Sequence, residues 1–164
     1  HGSLSVEALV NGEKGAVGLY VFQAGTDNRV TTGDTSRDNP KVFELNAGAY
    51  DLRVAYRKAT PETEQVFENV QVVADETVEQ RAEFEEGILE IRTTSGGRTV
   101  RANFQLFHAG EKKRFDTENA NEKVRMRPGD YEALVRAYKL EGDPKKRVSF
   151  SIRQGETTTL NVDF

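Results

Sequence analysis

Side chains able to do acid–base or metal chemistry are sparse and scattered in this chain. It holds two histidines and no cysteine. Thiolate nucleophiles, disulfides and Cys-ligated metals are therefore excluded. His1 opens the run His1-Gly2-Ser3, which reads as an expression scar on a naturally longer chain. His108 stands just before Ala109-Gly110, at the expected end of a hairpin strand. A general base needs a reacting partner and a group that orients it. Neither a second histidine nor an ordered set of carboxylates accompanies His108, and no serine sits in a nucleophile-elbow context. The stretch Asp34-Thr35-Ser36-Arg37-Asp38-Asn39 resembles the opening of a calcium loop. Such a loop needs a glycine sixth and an acid twelfth. Asn39 and Leu45 stand there instead. These observations predict no catalytic residue, no cofactor and no metal.

Two basic triplets, Lys112-Lys113-Arg114 and Lys145-Lys146-Arg147, are the clusters that would contact phosphate. A meander order puts them in loops at opposite ends, in an acidic chain, with no stacking aromatics between them. No nucleic-acid partner is expected. Tyr20 and Phe22 alternate with Leu19 and Val21, so they fall on the opposite face of their strand. Phe107 occupies the equivalent of Phe22. Together these three rings form a candidate interaction surface, although coverage by a neighbouring loop or by the other domain is the plainer expectation. The chain has no tryptophan, which weakens a sugar-stacking role.

An internal repeat explains where these residues must sit. Gly2-Ser3-Leu4-Ser5-Val6-Glu7 matches Gly87-Ile88-Leu89-Glu90-Ile91-Arg92, and Val21-Phe22-Gln23-Ala24-Gly25 matches Leu106-Phe107-His108-Ala109-Gly110. Ala47-Gly48-Ala49-Tyr50 matches Pro128-Gly129-Asp130-Tyr131, Glu76-Thr77 matches Glu156-Thr157, and Phe84 matches Phe164. The period is too long for a solenoid unit, so each copy is expected to be a domain with its own core. The domains are placed at 1–85 and 86–164. Apolar residues alternate in short runs such as Leu4, Val6, Ala8 and Leu52, Val54, Tyr56, with no amphipathic helical stretch. The predicted fold is all-β, two tandem antiparallel β-sandwiches of about seven strands each. Gly48 and Gly129 are read as hairpin glycines, and Gly155 and Asp75 as turn residues of positive φ. The spacing from Tyr131 to Tyr138 exceeds that from Tyr50 to Tyr56 by one, which predicts a β-bulge in the second copy.

The net charge of −4 is uneven. Residues 1–84 carry 8 Lys+Arg against 14 Asp+Glu, and residues 85–164 carry 15 against 13. Only Glu85 and Glu86 separate Phe84 from Gly87, too few for a flexible linker. The two domains are expected end to end, as a semi-rigid rod. No run approaches the roughly 18 apolar residues of a membrane span, and no secretory leader is legible.

The strand Gly87-Ile88-Leu89-Glu90-Ile91, then Gly97 with Ala102-Asn103-Phe104-Gln105-Leu106, then Pro128-Gly129-Asp130-Tyr131 and Gly155-Glu156-Thr157 resemble the carboxypeptidase-regulatory-like and Cna-B-like sandwiches of prealbumin type. The tandem form is similar to the β-repeats beside von Willebrand factor A domains in bacterial exported proteins. What this implies is a periplasmic or extracellular accessory module without catalysis, with a protein partner or the rest of a longer chain as its neighbour. An internal isopeptide bond, which Cna-B-like domains often carry, is not expected. The first strands hold no lysine, and Asn161 and Asp163 should point outward. The function expected is that of a semi-rigid spacer or protein-interaction unit. The alternative is a glycan- or peptide-binding module using the Tyr20/Phe22 face or the 26–40 loop.

Overall fold

A computed structural model describes residues 1–164, and every regular element in it is a strand. The chain divides into two compact units, His1–Lys58 with Glu62–Phe84, and Ala59–Pro61 with Glu85–Phe164. The first unit contains β1 (Gly2–Val10), β2 (Glu13–Lys14), β3 (Gly18–Gln23), β4 (Arg29–Asp34), β5 (Lys41–Leu45), β6 (Gly48–Tyr56), β7 (Thr63–Val72) and β8 (Thr77–Phe84). The second repeats the series as β9 (Gly87–Ser95), β10 (Arg98–Thr99), β11 (Asn103–His108), β12 (Asp116–Asn119), β13 (Lys123–Met126), β14 (Gly129–Arg136), β15 (Lys145–Ile152) and β16 (Thr157–Asp163).

Each unit is a two-sheet sandwich, as the alternation predicts. In the first unit β1 lies between β5 and β8, with β2 pairing its far end, and the facing sheet runs β4-β3-β6-β7. In the second, β9 lies between β13 and β16 with β10 beside it, facing β12-β11-β14-β15. Leu4, Val6, Leu19, Val21, Leu52 and Val54 are wholly buried in the first core. Leu89, Ile91, Phe104, Leu106, Met126 and Val135 are wholly buried in the second.

The order departs from a meander. β5 pairs with β1 and β6 with β3, so the chain crosses between sheets at Gly48, and likewise at Gly129. These glycines mark a sheet crossing and not the hairpin the sequence suggested. At each crossing a buried tyrosine reaches back four residues. Tyr50 Oη donates to Asn46 O at 2.6 Å, and Tyr131 Oη donates to Arg127 O at 2.5 Å. This is the tyrosine-corner device of Greek-key sandwiches. The sandwiches are also not wholly antiparallel. β8 runs parallel to β1 and β16 parallel to β9, because each last strand enters its sheet by a crossover and not a hairpin.

Three further readings change. The bulge lies in the first copy. Tyr50 faces Val70 but Leu52 faces Phe67, so Glu68 and Asn69 together oppose Asp51. Asn69 takes φ 55°, and its N–H donates to Asp51 Oδ1 at 2.9 Å. β14 pairs with β15 without a slip, and Tyr138 lies beyond β14, so it is not the counterpart of Tyr56. Gly2 and Ser3, read from the sequence as part of a scar, lie within β1. Ser3 pairs with Thr77, and a Cβ on Gly2 would stand 2.2 Å from Val73 O. Gly87 is its double, with 2.4 Å to Arg153 O. Finally, Lys145-Lys146-Arg147 begin strand β15 and do not form a loop. The positive φ expected at Asp75 and Gly155 is present, at 61° and 71°.

Candidate functional site

β3 presents Tyr20 and Phe22 on the outer face of its sheet, both half-buried. Neighbouring arginines cover them. The Arg57 guanidinium lies 5.4 Å from the Tyr20 ring centroid, and its Nη1 donates to Tyr20 Oη at 2.8 Å. That bond holds the guanidinium's proton more firmly than usual. Arg53, opposite Tyr20 on β6, lies 4.5 Å over the Phe22 ring and 3.7 Å from Asp27 Oδ1. Phe107 is only 5% exposed, beneath Arg147 at 4.4 Å. Arg147 also contacts Glu132 Oε1 at 3.3 Å. The cover thus comes from arginines on strands of the same sheet or, for Arg57, just beyond the end of β6, in cation–π geometry. Tyr20 and Phe22 stand together, while Phe107 belongs to the other unit.

Paired carboxylates lock the turns beside these rings. Asp51 accepts from the N–H groups of Asn69 and Gly25, and both bonds hold its carboxyl below the ordinary range. Glu132 accepts from Gly110 N–H at 3.0 Å and from Arg147, with the same effect. Gly25 and Gly110 are equivalent, so the two copies share this clip.

The suspected calcium loop has another use. Ser36 donates to Asp34 Oδ1 through both its side chain and its N–H, which lowers the Asp34 pKa. Thr35 is buried, accepting from Val17 N–H and donating to Gly15 O. Asn39 turns inward, accepting from Ala8 N–H and donating to the carbonyls of Ala8 and Gly15. Asn121 does the same in the second unit, accepting from Thr93 N–H and donating to Thr93 Oγ1 and Val100 O. The sequence comparison missed this pair, because the surrounding loops differ in length and composition. The shared signal was one asparagine shortly before a strand.

His108 packs half-buried against Phe115 at 4.6 Å and Tyr131 at 5.6 Å, as an aromatic filler. The 109–115 segment with Lys112-Lys113-Arg114 follows it. One titratable group stands out. Asp116 and Glu118 on β12 face Leu106 and Phe104, the core side of an edge strand. Burial raises the Glu118 pKa to about 7, helped by a hydrogen bond and repulsion from Asp116 and by repulsion from Glu122. A shallow depression of about 430 Å³ lies nearby, lined by Thr99, Arg101, Asn119, Glu122 and Tyr138 among others.

No protein-family model matches the chain, and no curated protein sequence matches it. Solved structures do. GBS52, the minor pilin of Streptococcus agalactiae, is 10% identical, with a TM-score of 0.49 over 99% of this chain and 95% of its own. The Bacillus anthracis TIE protein is 17% identical, with a TM-score of 0.41 over 99% of this chain. A streptococcal ancillary pilin is 13% identical, with a TM-score of 0.42 over 98%. The chain spans about a third of the length of the TIE protein, at 34%, and 62% of the ancillary pilin.

Proposed function

We propose that this chain is a non-catalytic tandem β-sandwich module of an exported bacterial protein, working in the periplasm or outside the cell. It serves as a semi-rigid spacer or protein-interaction unit. The observation that carries this reading is the junction. β8 ends at Phe84 and β9 begins at Gly87. At about 3.3 Å per residue, Glu85 and Glu86 can separate the strand ends by only about 7–10 Å. A link this short supports a spacer over two freely tethered domains. The resemblance to the repeats beside von Willebrand factor A domains supports the exported setting.

The test is a Gly-Gly-Ser-Gly insertion between Glu85 and Glu86, with spin labels on the two copies. The parent should give one narrow distance distribution and the insertion a broad one. A parent distribution as broad as the insertion's would reduce the module to two independent beads.

A second reading uses the aromatic positions. Phe22 and Phe107 are equivalent, and each lies under a guanidinium, although from different strands. In the first copy, the Tyr20/Phe22 face or the 26–40 loop suits a glycan or a peptide. Arginine–aromatic surfaces supply both an apolar platform and donors. Glycan-array or peptide binding that disappears in Tyr20→Ala would move this reading to first place.

A further inference from the structure

Every sandwich with open sheets must manage its edge strands, whose unpaired N–H and C=O groups invite another strand. Most edges here carry a visible defence. β7 is bulged at Glu68 and Asn69. The Gln65 side chain donates to Glu83 O on β8, and Lys146 Nζ donates to Asp163 O on β16. β15 opens with three cations and β13 carries Lys123 and Arg125. β5 follows Pro40 and opens with Lys41. β12 is four residues long and turns Asp116 and Glu118 toward the core side.

β4 also slips register, at Val30, but from Thr31 to Asp34 it carries no further bulge and no inward charge. Its only strand partner is β3. It is the structural counterpart of β12, since Val21 and Leu19 correspond to Leu106 and Phe104. Where those face Asp116 and Glu118, Val21 and Leu19 face Thr31 and Gly33. The inward acids of the second copy are thus replaced by a threonine and a glycine. A carboxylate at Gly33 would meet the Phe43 ring, which lies 3.0 Å from a Cβ built there. Val30 is 43% exposed, and the run Val30-Thr31-Thr32 is β-branched throughout.

We propose that the free edge of β4 pairs with β4 of a second copy, antiparallel about a two-fold axis at Thr32. Hydrogen-bond alternation fixes the register. Thr35 N–H donates to Val17 O, just before β3. Residues 33 and 31 therefore also point toward β3, and Thr32 and Asp34 turn their backbone groups outward. Pairing on Thr32 places Thr32 against its own copy and Thr31 against Gly33. The register slip at Val30 puts Arg29 on the same face as Thr32 and Asp34. Asp34 of each strand then meets Arg29 of the other, so both ends carry opposite charges. A self-complementary strand of this kind makes an isologous contact that closes at two copies. The surface is small, so the dimer is weak and exchanging.

Sedimentation equilibrium from micromolar to millimolar protein should show the mass rising from 18.3 kDa toward twice that value. Thr32→Cys should form a disulfide dimer under mild oxidation, much faster than Val66→Cys on the exposed face of β7. Thr31→Asp, which copies Asp116, should raise the dimer dissociation constant by about tenfold or more. Thr32→Pro should do likewise, since that N–H makes no bond within the chain's own ladder. Far-UV circular dichroism checks that both variants remain folded. The proposal is overturned by a chain monomeric throughout, by Thr32→Cys crosslinking no faster than Val66→Cys, or by a dimer that survives both edge variants.

Discussion

At the scale of single residues, the polar groups that matter here are those holding the backbone. Tyr50 and Tyr131 each satisfy a carbonyl at a sheet crossing, so Tyr131→Phe leaves Arg127 O without its partner. Losing such a bond at a part-buried site costs about 1–2 kcal/mol. Urea unfolding followed on the second unit should show that loss, and Tyr50→Phe should show the same in the first. Glu118 gives a second prediction, on pH. Its folded carboxyl titrates near 7, against an ordinary 4.5. Between those values the folded chain keeps a proton that the unfolded chain has released. The stability linked to Glu118 is therefore full below pH 4.5 and falls as pH rises to about 7. Asp34, Asp51, Glu132 and Asp143 have lowered values and act oppositely, losing stability only in more acidic solution. Urea midpoints of the second unit across this range should decline with rising pH, and Glu118→Gln should flatten the decline. An unchanged slope in Glu118→Gln would assign the titration to another group.

At the scale of strands, alternation made the elements legible but not their neighbours. Leu4, Val6 and Ala8 announce a half-buried strand whether its partner is β8 or any other. Period two specifies a face and is silent on who pairs, which is why the sheet crossing at Gly48 and the parallel β1–β8 pair were not readable. The bulge was misplaced for a related reason. Spacing alone makes Tyr138 look like a strand residue, while the irregularity opposite β6 lies on β7, where Asn69 adopts φ 55°. The Asn39 and Asn121 pins were hidden because one asparagine in a polar loop looks like any other. Each makes three hydrogen bonds to its sheet, so Asn121→Ala should destabilise the second unit by about 1–3 kcal/mol. Asn39→Ala should do the same to the first, and Asn39→Asp should fail to restore it because the two donated bonds are lost. The measurement is the denaturant midpoint of each unit.

At the scale of the whole molecule, the repeat boundary near Glu85 makes a claim about cooperativity. Each copy has a separate buried core, with Leu52 in one and Phe104 in the other, both fully enclosed. Domains of about 80 residues are large enough to fold alone but only marginally stable. A buried leucine cut to alanine costs about 2–5 kcal/mol, and a buried phenylalanine about 3–5. Either is a large share of one domain's stability. If the copies fold as separate units, Leu52→Ala should lower the unfolding midpoint of amides in 1–84 and leave those in 87–164 where they were. Phe104→Ala should do the reverse. Residue-resolved hydrogen exchange in increasing denaturant reads both at once, which matters because the chain has no tryptophan to report on either half. If Leu52→Ala pulled down both sets of amides together, the sandwiches would be one cooperative body. Their stability would then depend on the junction, and the spacer reading would have to be rebuilt around a single rigid unit.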